Sequence, residues 1–278
     1  MGMHKLSYSA IGLMSGTSLD GVDLIAANFY LENTKWKYEI LAVDCWPYND
    51  VWLQKLKTLH LADITTFAKT NADYGIYLGE LVNEFMQKHN LPMPFDVIGS
   101  HGHTILHQPN LNYTLQIGSG AHIAAQTQIK TIADLRSSDV AAGGQGAPIV
   151  PIGEQYLFPA YKAFLNIGGI SNIAFHTEEK VVAYDVCPGN TPLNILVKTV
   201  GLAYDENGEK ARNGKLNDEL LQVLNEFNFY KKTLPRSLHT DEIVAGFMAK
   251  VAAFEIALED KLNTCLLYTS DAADEAKC

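Results

Sequence analysis

The segment IGLMSGTSLDGVD at residues 11–23 constrains the fold most, because an apolar run breaks into small and polar residues and then resumes as LIAANF. This pattern predicts a strand, a tight turn and a returning strand. Gly16 and Gly21 can adopt backbone angles that other residues avoid. The short hydroxyls of Thr17 and Ser18 add donors for an anion. The turn is therefore predicted to bind phosphate; a plain hairpin whose glycines serve only the turn is the alternative.

Two acids make this turn more polar than a reversal of the chain requires. Asp20 and Asp23 follow the hydroxyls at three-residue steps. An acid beside a phosphate site commonly serves a divalent cation or orients a water. We therefore favour a functional turn, with Asp20 as the expected Mg²⁺ ligand and Leu19 and Val22 among the phosphate-binding residues. The sequence contains no GxxxxGK[ST], so a Walker-type loop is not expected.

A second segment, AFLNIGGISNIAF at 163–175, repeats this plan around Gly168 and Gly169. Two phosphate-type hairpins in one chain suggest one nucleotide held between two lobes. This layout resembles the superfamily of actin, sugar kinases and Hsp70 ATPases. The resemblance implies an α/β class, specifically a two-domain actin-like (RNase H-like) ATPase fold with an incomplete second domain.

More specific motifs occur in order along the chain. They are SGTSLDGVD (15–23), GSHGHT (99–104), LQIG (115–118), DLRSSDVAAGGQGAPIVP (134–151), LNIGGISN (165–172) and YDVCPGN (184–190). Together, to about Thr264, they resemble the anhydro-N-acetylmuramic acid kinase family. The resemblance implies an ATP- and Mg²⁺-dependent enzyme of peptidoglycan recycling. It hydrolyses the 1,6-anhydro bridge of anhydro-N-acetylmuramic acid and phosphorylates O6, giving N-acetylmuramic acid 6-phosphate and ADP. A homodimer is also implied.

Two other functions stay open at this point. A regulatory or chaperone-type ATPase of the same superfamily would hydrolyse ATP without regard to anhydro-sugars. A truncated, non-catalytic fragment would have no activity.

Asp185 in YDVCPGN matches the family's catalytic base, and it follows the apolar run VVAY, so we expect it at the end of a strand. A carboxylate there can accept the proton of a water that attacks the anomeric carbon. Gly189 and Asn190 are assigned to substrate binding. The alternative is that Asp185 caps the turn formed by Pro188, Gly189 and Asn190.

Arg136 in DLRSSD matches a family position that contacts the sugar, and a guanidinium suits the lactyl carboxylate of the substrate. The alternative is a surface ion pair with Asp134 or Asp139. The small residues of AAGGQGAP, at 141–148, allow the backbone to approach a ligand closely, or they form a mobile loop.

His101 and His103 follow the predicted strand FDVIGS and are expected where strand ends face a ligand crevice. We do not interpret HxH as a metal site, because no cysteine or carboxylate cluster completes a ligand set. His103 is predicted to hydrogen-bond the substrate, and His101 is predicted to be a satisfied structural histidine.

Composition fits a cytoplasmic enzyme. The 278 residues, 47% of them hydrophobic, are enough for one to two domains, predicted at 1–147 and 148–264. In the second domain, a single helix is expected near 240–262. The net charge of −10 argues against nucleic acid or an anionic membrane as a partner. The sequence shows neither a signal peptide nor an apolar run of roughly 20 residues. The four cysteines lack CxxC spacing, so disulfides and structural zinc are not expected.

The last segment, 265–278, is unusual. CLLYTSDAADE resembles the translation of a sequencing-library adapter, so we expect this tail to be non-native; a genuine short acidic terminus is the alternative. Family members continue beyond this point with a glycine-rich adenosine-binding segment and a further acidic residue near the sugar. This chain is therefore expected to bind ATP poorly and to turn over slowly or not at all.

Overall fold

Two compact units make up the chain, residues 1–158 and 159–278, and each is described by itself. The structure is a computed structural model. It describes residues 7–16, 19, 21–92, 94–146, 149–177, 181–238 and 240–274. The contact boundary falls one helix after the domain boundary expected at residue 148, because the helix at Val150–Leu157 packs on the first unit. The expected domain boundary stays a prediction.

The first unit is a mixed α/β layer structure. Its strands are β1 (Ser7–Ser15), β2 (Gly21–Glu32), β3 (Lys35–Pro47), β4 (Val97–Gln108), β5 (Tyr113–Ile117) and β6 (Thr131–Ile132). Its helices are α1 (Asp50–Thr58), α2 (Ile64–Lys88), α3 (Gly120–Thr127), α4 (Ser137–Ala141) and α5 (Val150–Leu157), with 3-10 turns at Leu59–Leu61 and Pro109–Leu111.

The sheet of this unit has the order β3-β2-β1-β4-β5, and β6 pairs with β4 as well. β1, β2 and β3 form an antiparallel meander, whereas β4 runs parallel to β1. β5 is antiparallel and β6 parallel to β4. The parallel step from β1 to β4 carries the chain through α1 and α2, as a parallel pair requires.

Alternation along β1 directs Ile11 and Leu13 into the core, where they meet the apolar face of α2. The side chain of Asp63 caps α2 by accepting two backbone N–H bonds. At Gly75 an added Cβ would lie 2.6 Å from the carbonyl oxygen of Ser119, so a glycine there lets α3 pack closely against α2. This packing fixes the chain that follows β5, at the edge of the candidate site.

The second unit repeats the opening meander. Its strands are β7 (Ala163–Ile167), β8 (Ile170–His176) and β9 (Val181–Pro188). Its helices are α6 (Asn190–Lys198), α7 (Glu209–Asn213), α8 (Asp218–Asn225), α9 (Thr240–Glu242), α10 (Met248–Ala252) and α11 (Leu258–Asp274), with a π-helical segment at Ile243–Phe247 and 3-10 turns at Glu206–Gly208 and Asn228–Lys231. The sheet has the order β7-β8-β9, all antiparallel.

The repeated plan confirms the α/β class and agrees with two related domains of an actin-like fold. Buried apolar side chains from β9 and the helices form one core in the second unit, including Leu220, Leu224, Phe229 and Phe247. The hairpin predicted at 163–175 is present as β7 and β8.

Two predicted strand ends were wrong. The strand expected to stop before His101 continues to Gln108, because β5 provides pairing partners from His103 onward. The strand expected to end at Asp185 continues to Pro188, which pairs with Ile170.

The single helix expected over 240–262 is interrupted at 253–257. Phe254 and Ile256, which both lie in this interruption, pack against the core of the second unit, and their two-residue spacing fits extended chain rather than a helix. The non-native origin of residues 265–278 stays a prediction; the described part of that segment, up to Asp274, belongs to α11.

Candidate active site

The β1–β2 turn spans the gap between Ser15 and Gly21, as the sequence predicts. Its residues Thr17, Ser18 and Asp20 lie outside the described part of the chain. The phosphate and Mg²⁺ roles expected of these three residues therefore stay predictions.

The described residues of this turn explain why glycine ends it. Leu19 has a positive φ of 60°, and its N–H donates to the carbonyl oxygen of Gly16 at 3.4 Å. A Cβ at Gly21 would lie 2.3 Å from the carbonyl oxygen of Trp46 on β3, so only glycine fits there. Val22, expected near phosphate, has a fully buried side chain in the core.

Asp23 is exposed on the opposite face of β2 from Val22, at the register position facing Met14 and Cys45. Because neighbouring residues on a strand point to opposite faces, the two side chains cannot serve one ligand together. The main-chain atoms of this stretch, rather than the side chain of Val22, are what a phosphate could reach.

β1, β4 and β5 converge at Gly102. The hydroxyl of Ser15 donates to the carbonyl oxygen of Gly102 at 2.8 Å in a buried setting. Gly102 has a φ of +69°, and a Cβ there would lie 2.4 Å from the carbonyl oxygen of Ile117. Glycine in GSHGHT is thus required by backbone angle and by close approach.

His103 lies opposite Ser15 and Ile117 in the pairing of β4 and is 4% exposed. Its Nδ1 atom is buried without a hydrogen-bond partner. Burial, together with the nearby His101, lowers the pKa of His103 to about 4, so the ring is neutral near pH 7. A neutral ring with an unsatisfied buried nitrogen is suited to a hydrogen bond with a ligand or an ordered water.

Arg136 is held by two described hydrogen bonds at the start of α4. Its Nε donates to Nε2 of His101 at 2.9 Å, and its Nη1 donates to the carbonyl oxygen of Gly146 at 2.6 Å. The other ring nitrogen of His101 lies 2.8 Å from the carbonyl oxygen of Gly102. Since Nε2 must accept and Nδ1 must donate, this network assigns a neutral His101 with its proton on Nδ1.

The electrostatics agree with that assignment. Burial, joined by the charge of Arg136, lowers the pKa of His101. Burial also lowers the pKa of Arg136, although a guanidinium stays charged. His101 is therefore satisfied, as expected, but it also orients Arg136, which the sequence did not reveal.

The acids suggested as ion-pair partners of Arg136 bind elsewhere. Asp139 accepts the N–H of Gly146 at 2.6 Å, and Asp134 accepts the hydroxyl of Ser137 at 2.5 Å. Gly146 has a φ of +63°. Arg136 and Asp139 together hold the described end of the small-residue segment, 143–146, back onto α4.

In the second unit, the β7–β8 turn joins the start of α6. The N–H groups of Asn190 and Gly189 donate to the carbonyl oxygens of Gly168 and Gly169 at 2.8 and 3.0 Å, and Thr191 donates to Gly169 at 3.1 Å. A Cβ at Gly189 would lie 2.3 Å from the carbonyl oxygen of Gly168. The predicted site residues of these two turns therefore form one tight backbone cluster, the glycine cluster, made of Gly168, Gly169, Gly189 and Asn190.

Asp185 lies on β9, the strand that leads into this cluster, and is half-buried. Its Oδ2 atom accepts the N–H of Leu238 at 2.7 Å, and its own N–H donates to the carbonyl oxygen of Arg236 at 2.9 Å. A turn cap at 188–190 would not need this distant partner. The sequence reasoning missed residues 236–238, and no spacing in the sequence points to a partner 53 residues away.

The thiol of Cys187 is not activated as a nucleophile. Burial raises the pKa of the Cys187 thiol to about 11, so it is protonated and unsuited to attack near pH 7. Within the described residues, no group of three or more His, Cys, Asp or Glu side chains could hold a metal ion. Across the same residues, no helix combines the length and apolar character needed to cross a membrane.

The predicted residues thus fall into two clusters. In the first unit, Arg136 binds the ring of His101, which lies two residues before His103 on β4. In the second unit, the two glycine turns meet at the end of the strand that carries Asp185. Each cluster combines tight glycine backbone with few polar side chains, an arrangement suited to a phosphorylated or sugar ligand.

Named relatives of this chain are anhydro-N-acetylmuramic acid kinases. The one from Pasteurella multocida (strain Pm70) is 41% identical over 246 residues, which cover 84% of this chain and 64% of that protein. The one from Caldanaerobacter subterraneus subsp. tengcongensis is 36% identical over 293 residues, covering 96% of this chain and 74% of that protein. The chain thus spans less than two thirds of the length of the first relative and about three quarters of the length of the second.

Solved structures add little. A Ppx/GppA family member from Aquifex aeolicus aligns over 96% of this chain and 91% of its own, at a TM-score of 0.35 and 10% identity, which supports no argument. The family model described as anhydro-N-acetylmuramic acid kinase matches residues 8–275. Because that match covers nearly the whole chain, this chain belongs to the anhydro-N-acetylmuramic acid kinase family.

Proposed function

We propose that this chain carries the catalytic machinery of an ATP-dependent sugar kinase. The reaction opens the 1,6-anhydro bridge of anhydro-N-acetylmuramic acid and phosphorylates O6, yielding N-acetylmuramic acid 6-phosphate and ADP. Family membership supports the choice of substrate. The observation that carries the proposal is the carboxylate of Asp185, fixed by the Leu238 N–H on the strand that leads into the glycine cluster.

Asp185 acts as the general base. Its carboxylate takes a proton from a water as that water attacks the anomeric carbon, and the bond from that carbon to O6 breaks. Because the Leu238 N–H binds Oδ2, the plane of the carboxylate is held and the approach of the water is restricted. ATP supplies the phosphoryl group that the departing O6 accepts, so that negative charge on the leaving oxygen does not accumulate.

The described residues fit a polyphosphate. Position 21 excludes any side chain, since a Cβ there would lie 2.3 Å from the carbonyl oxygen of Trp46. Such bare turns let phosphate oxygens approach the main chain. We assign Gly16, Gly21, Gly168 and Gly169 to this role, and we place Mg²⁺ near Asp20.

Arg136 binds the lactyl carboxylate of the sugar. Its guanidinium is already oriented by His101 and Gly146, so less side-chain entropy is lost when the substrate binds. His103 offers its lone Nδ1 atom to a sugar hydroxyl or to a bridging water. Gly189 and Asn190 line the sugar site next to Asp185.

We further propose a cytoplasmic homodimer that binds neither nucleic acid nor membrane. The net charge of −10 supports the second part, because it would repel polyanionic partners.

The test separates the sugar kinase from a sugar-independent ATPase. ADP release is measured for this chain with ATP and Mg²⁺, with and without anhydro-N-acetylmuramic acid, and the 6-phosphate is detected by mass spectrometry. We expect ADP release that is slow in this chain, as the sequence predicts, but that depends on the sugar and matches the 6-phosphate in amount. ADP release without any need for the sugar would favour the regulatory ATPase, and no release would favour the inactive fragment.

Asp185→Asn should abolish product while ATP binding is retained. A matched control is Asp73→Asn, which changes a partly exposed acid on α2 whose described partner is the exposed Lys69. The control should keep full activity, since exposed ion pairs contribute little.

A further inference from the structure

The segment 236–238 lies along the outer edge of β9, next to Asp185. Asp185 and this segment exchange two hydrogen bonds: the N–H of Asp185 donates to the carbonyl oxygen of Arg236, and the N–H of Leu238 donates to Oδ2 of Asp185. The second bond exists only while residues 236–238 stay in this register. The position of the segment therefore decides how the carboxylate is held.

The side chain of Arg236 fixes that register. Its Nε donates to the carbonyl oxygen of Asp185 and its Nη2 to that of Val186, both at 3.3 Å. Its Nη1 donates to the carbonyl oxygen of Tyr230 at 3.1 Å. One guanidinium thus bridges two consecutive carbonyls of β9 and the end of the 3-10 turn at Asn228–Lys231.

Two aromatic side chains pack against the guanidinium of Arg236 and support the same position. The guanidinium carbon lies 4.4 Å from the ring centre of Phe229 and 5.1 Å from that of Tyr230. Phe229 is 1% exposed and Leu238 is 4% exposed, and both belong to the core of the second unit. The planar cation therefore rests on an anchored aromatic surface, which favours it through cation–π attraction.

We propose that Arg236 is a positioning residue for the reaction: by clamping the carbonyls of β9 it presents the Leu238 N–H to the carboxylate of Asp185. The inference rests on the proposed role of Asp185 as the base. Arg236 need not touch the substrate. A lysine cannot replace it, because the guanidinium reaches three carbonyls with N–H donors fixed in one plane, whereas an ammonium group is a single compact donor group.

Two variants test the proposal. Arg236→Lys keeps the positive charge and loses the several fixed N–H donors of the guanidinium. Arg236→Met keeps much of the side-chain volume and loses both the charge and the donors. We expect kcat for sugar phosphorylation to fall about 10- to 100-fold in each, as small misplacements of catalytic groups do. KM for ATP should stay within about twofold, because uniform binding is not removed.

A second measurement does not depend on activity. The amide proton of Leu238 is followed by NMR in the wild-type chain labelled with ¹⁵N, because a proton bound to a carboxylate resonates downfield. In Arg236→Lys we expect this signal to move upfield and its hydrogen exchange to become faster. Arg212→Lys is the matched control, since Arg212 is exposed and makes a single long described bond, to Asn207 at 3.4 Å.

The outcomes distinguish a failure of the proposed function from a failure of the positioning role of Arg236. If the wild-type chain makes no 6-phosphate, the proposed function fails, and the Leu238 amide alone decides whether Arg236 positions the carboxylate. If the wild type is active but Arg236→Lys keeps both kcat and the Leu238 signal, the positioning role is refuted. Should Arg236→Met not fold, as judged by circular dichroism, Arg236→Lys decides.

Discussion

The substitution Gly189→Ala tests the tight cluster at the end of β9. A Cβ there would lie 2.3 Å from the carbonyl oxygen of Gly168, while real Cβ contacts essentially never fall under 3.0 Å. The backbone must therefore move by at least 0.7 Å, the difference between 3.0 and 2.3 Å. The same movement lengthens the bonds that Gly189 and Asn190 donate to the carbonyl oxygens of Gly169 and Gly168.

The expected cost follows from these two effects. Forced overpacking costs about 1–3 kcal/mol. Weakening two backbone hydrogen bonds adds on the order of 1 kcal/mol. We therefore expect Gly189→Ala to lower the free energy of unfolding by about 2–4 kcal/mol, measured by urea denaturation followed by circular dichroism.

Gly168→Ala is the matched control for this measurement. Its nearest neighbours to an added Cβ are at 3.7 and 3.8 Å, which is ordinary contact. Its stability should stay within about 1 kcal/mol of the wild type, since surface substitutions usually do little. Equal stability of Gly189→Ala and Gly168→Ala would refute the close approach of the two turns.

Three further predictions concern charge and reactivity. Burial lowers the pKa of His103 to about 4, below the ordinary value of 6.5, so the folded state resists protonation and the free energy of unfolding should fall as the pH drops from about 6.5 to 4. His103→Gln should flatten this dependence of stability on pH, measured by urea titrations. An unchanged dependence would exclude His103 as the cause. Iodoacetamide at pH 7 should modify the exposed Cys45 and leave the buried Cys187 intact until urea is added, as peptide mass spectrometry would show; early labelling of Cys187 would contradict its burial. Arg136→Lys, which loses the fork that His101 and Gly146 hold, should raise KM for the anhydro-sugar about tenfold with little change in KM for ATP, and an unchanged sugar KM would remove Arg136 from the sugar site.

Local features of the fold could be predicted from the sequence. The hairpins at β1–β2 and β7–β8 follow from apolar runs interrupted by glycine, because strand alternation and turn residues act over only a few positions. The α/β class follows from the same repeated pattern. The helix expected over 240–262 failed because tertiary packing of Phe254 and Ile256 overrides local helix preference.

The chemistry of the site was only partly predictable. Motifs in the sequence indicate Asp185 and Arg136 as candidate site residues, but their partners lie far along the chain. Leu238 follows Asp185 by 53 residues, and His101 precedes Arg136 by 35. Contacts of this kind depend on how elements pack, which no local pattern encodes.

The most direct test of the account follows the oxygen of the attacking water. The reaction is run in H₂¹⁸O with ATP, Mg²⁺ and anhydro-N-acetylmuramic acid, and the 6-phosphate is analysed by tandem mass spectrometry for the wild type and Asp185→Asn. We predict one ¹⁸O at the anomeric carbon, none in the phosphoryl group, and no product from Asp185→Asn. Label in the phosphoryl group, or labelled product from Asp185→Asn, would contradict the claim that Asp185 activates water for opening of the bridge.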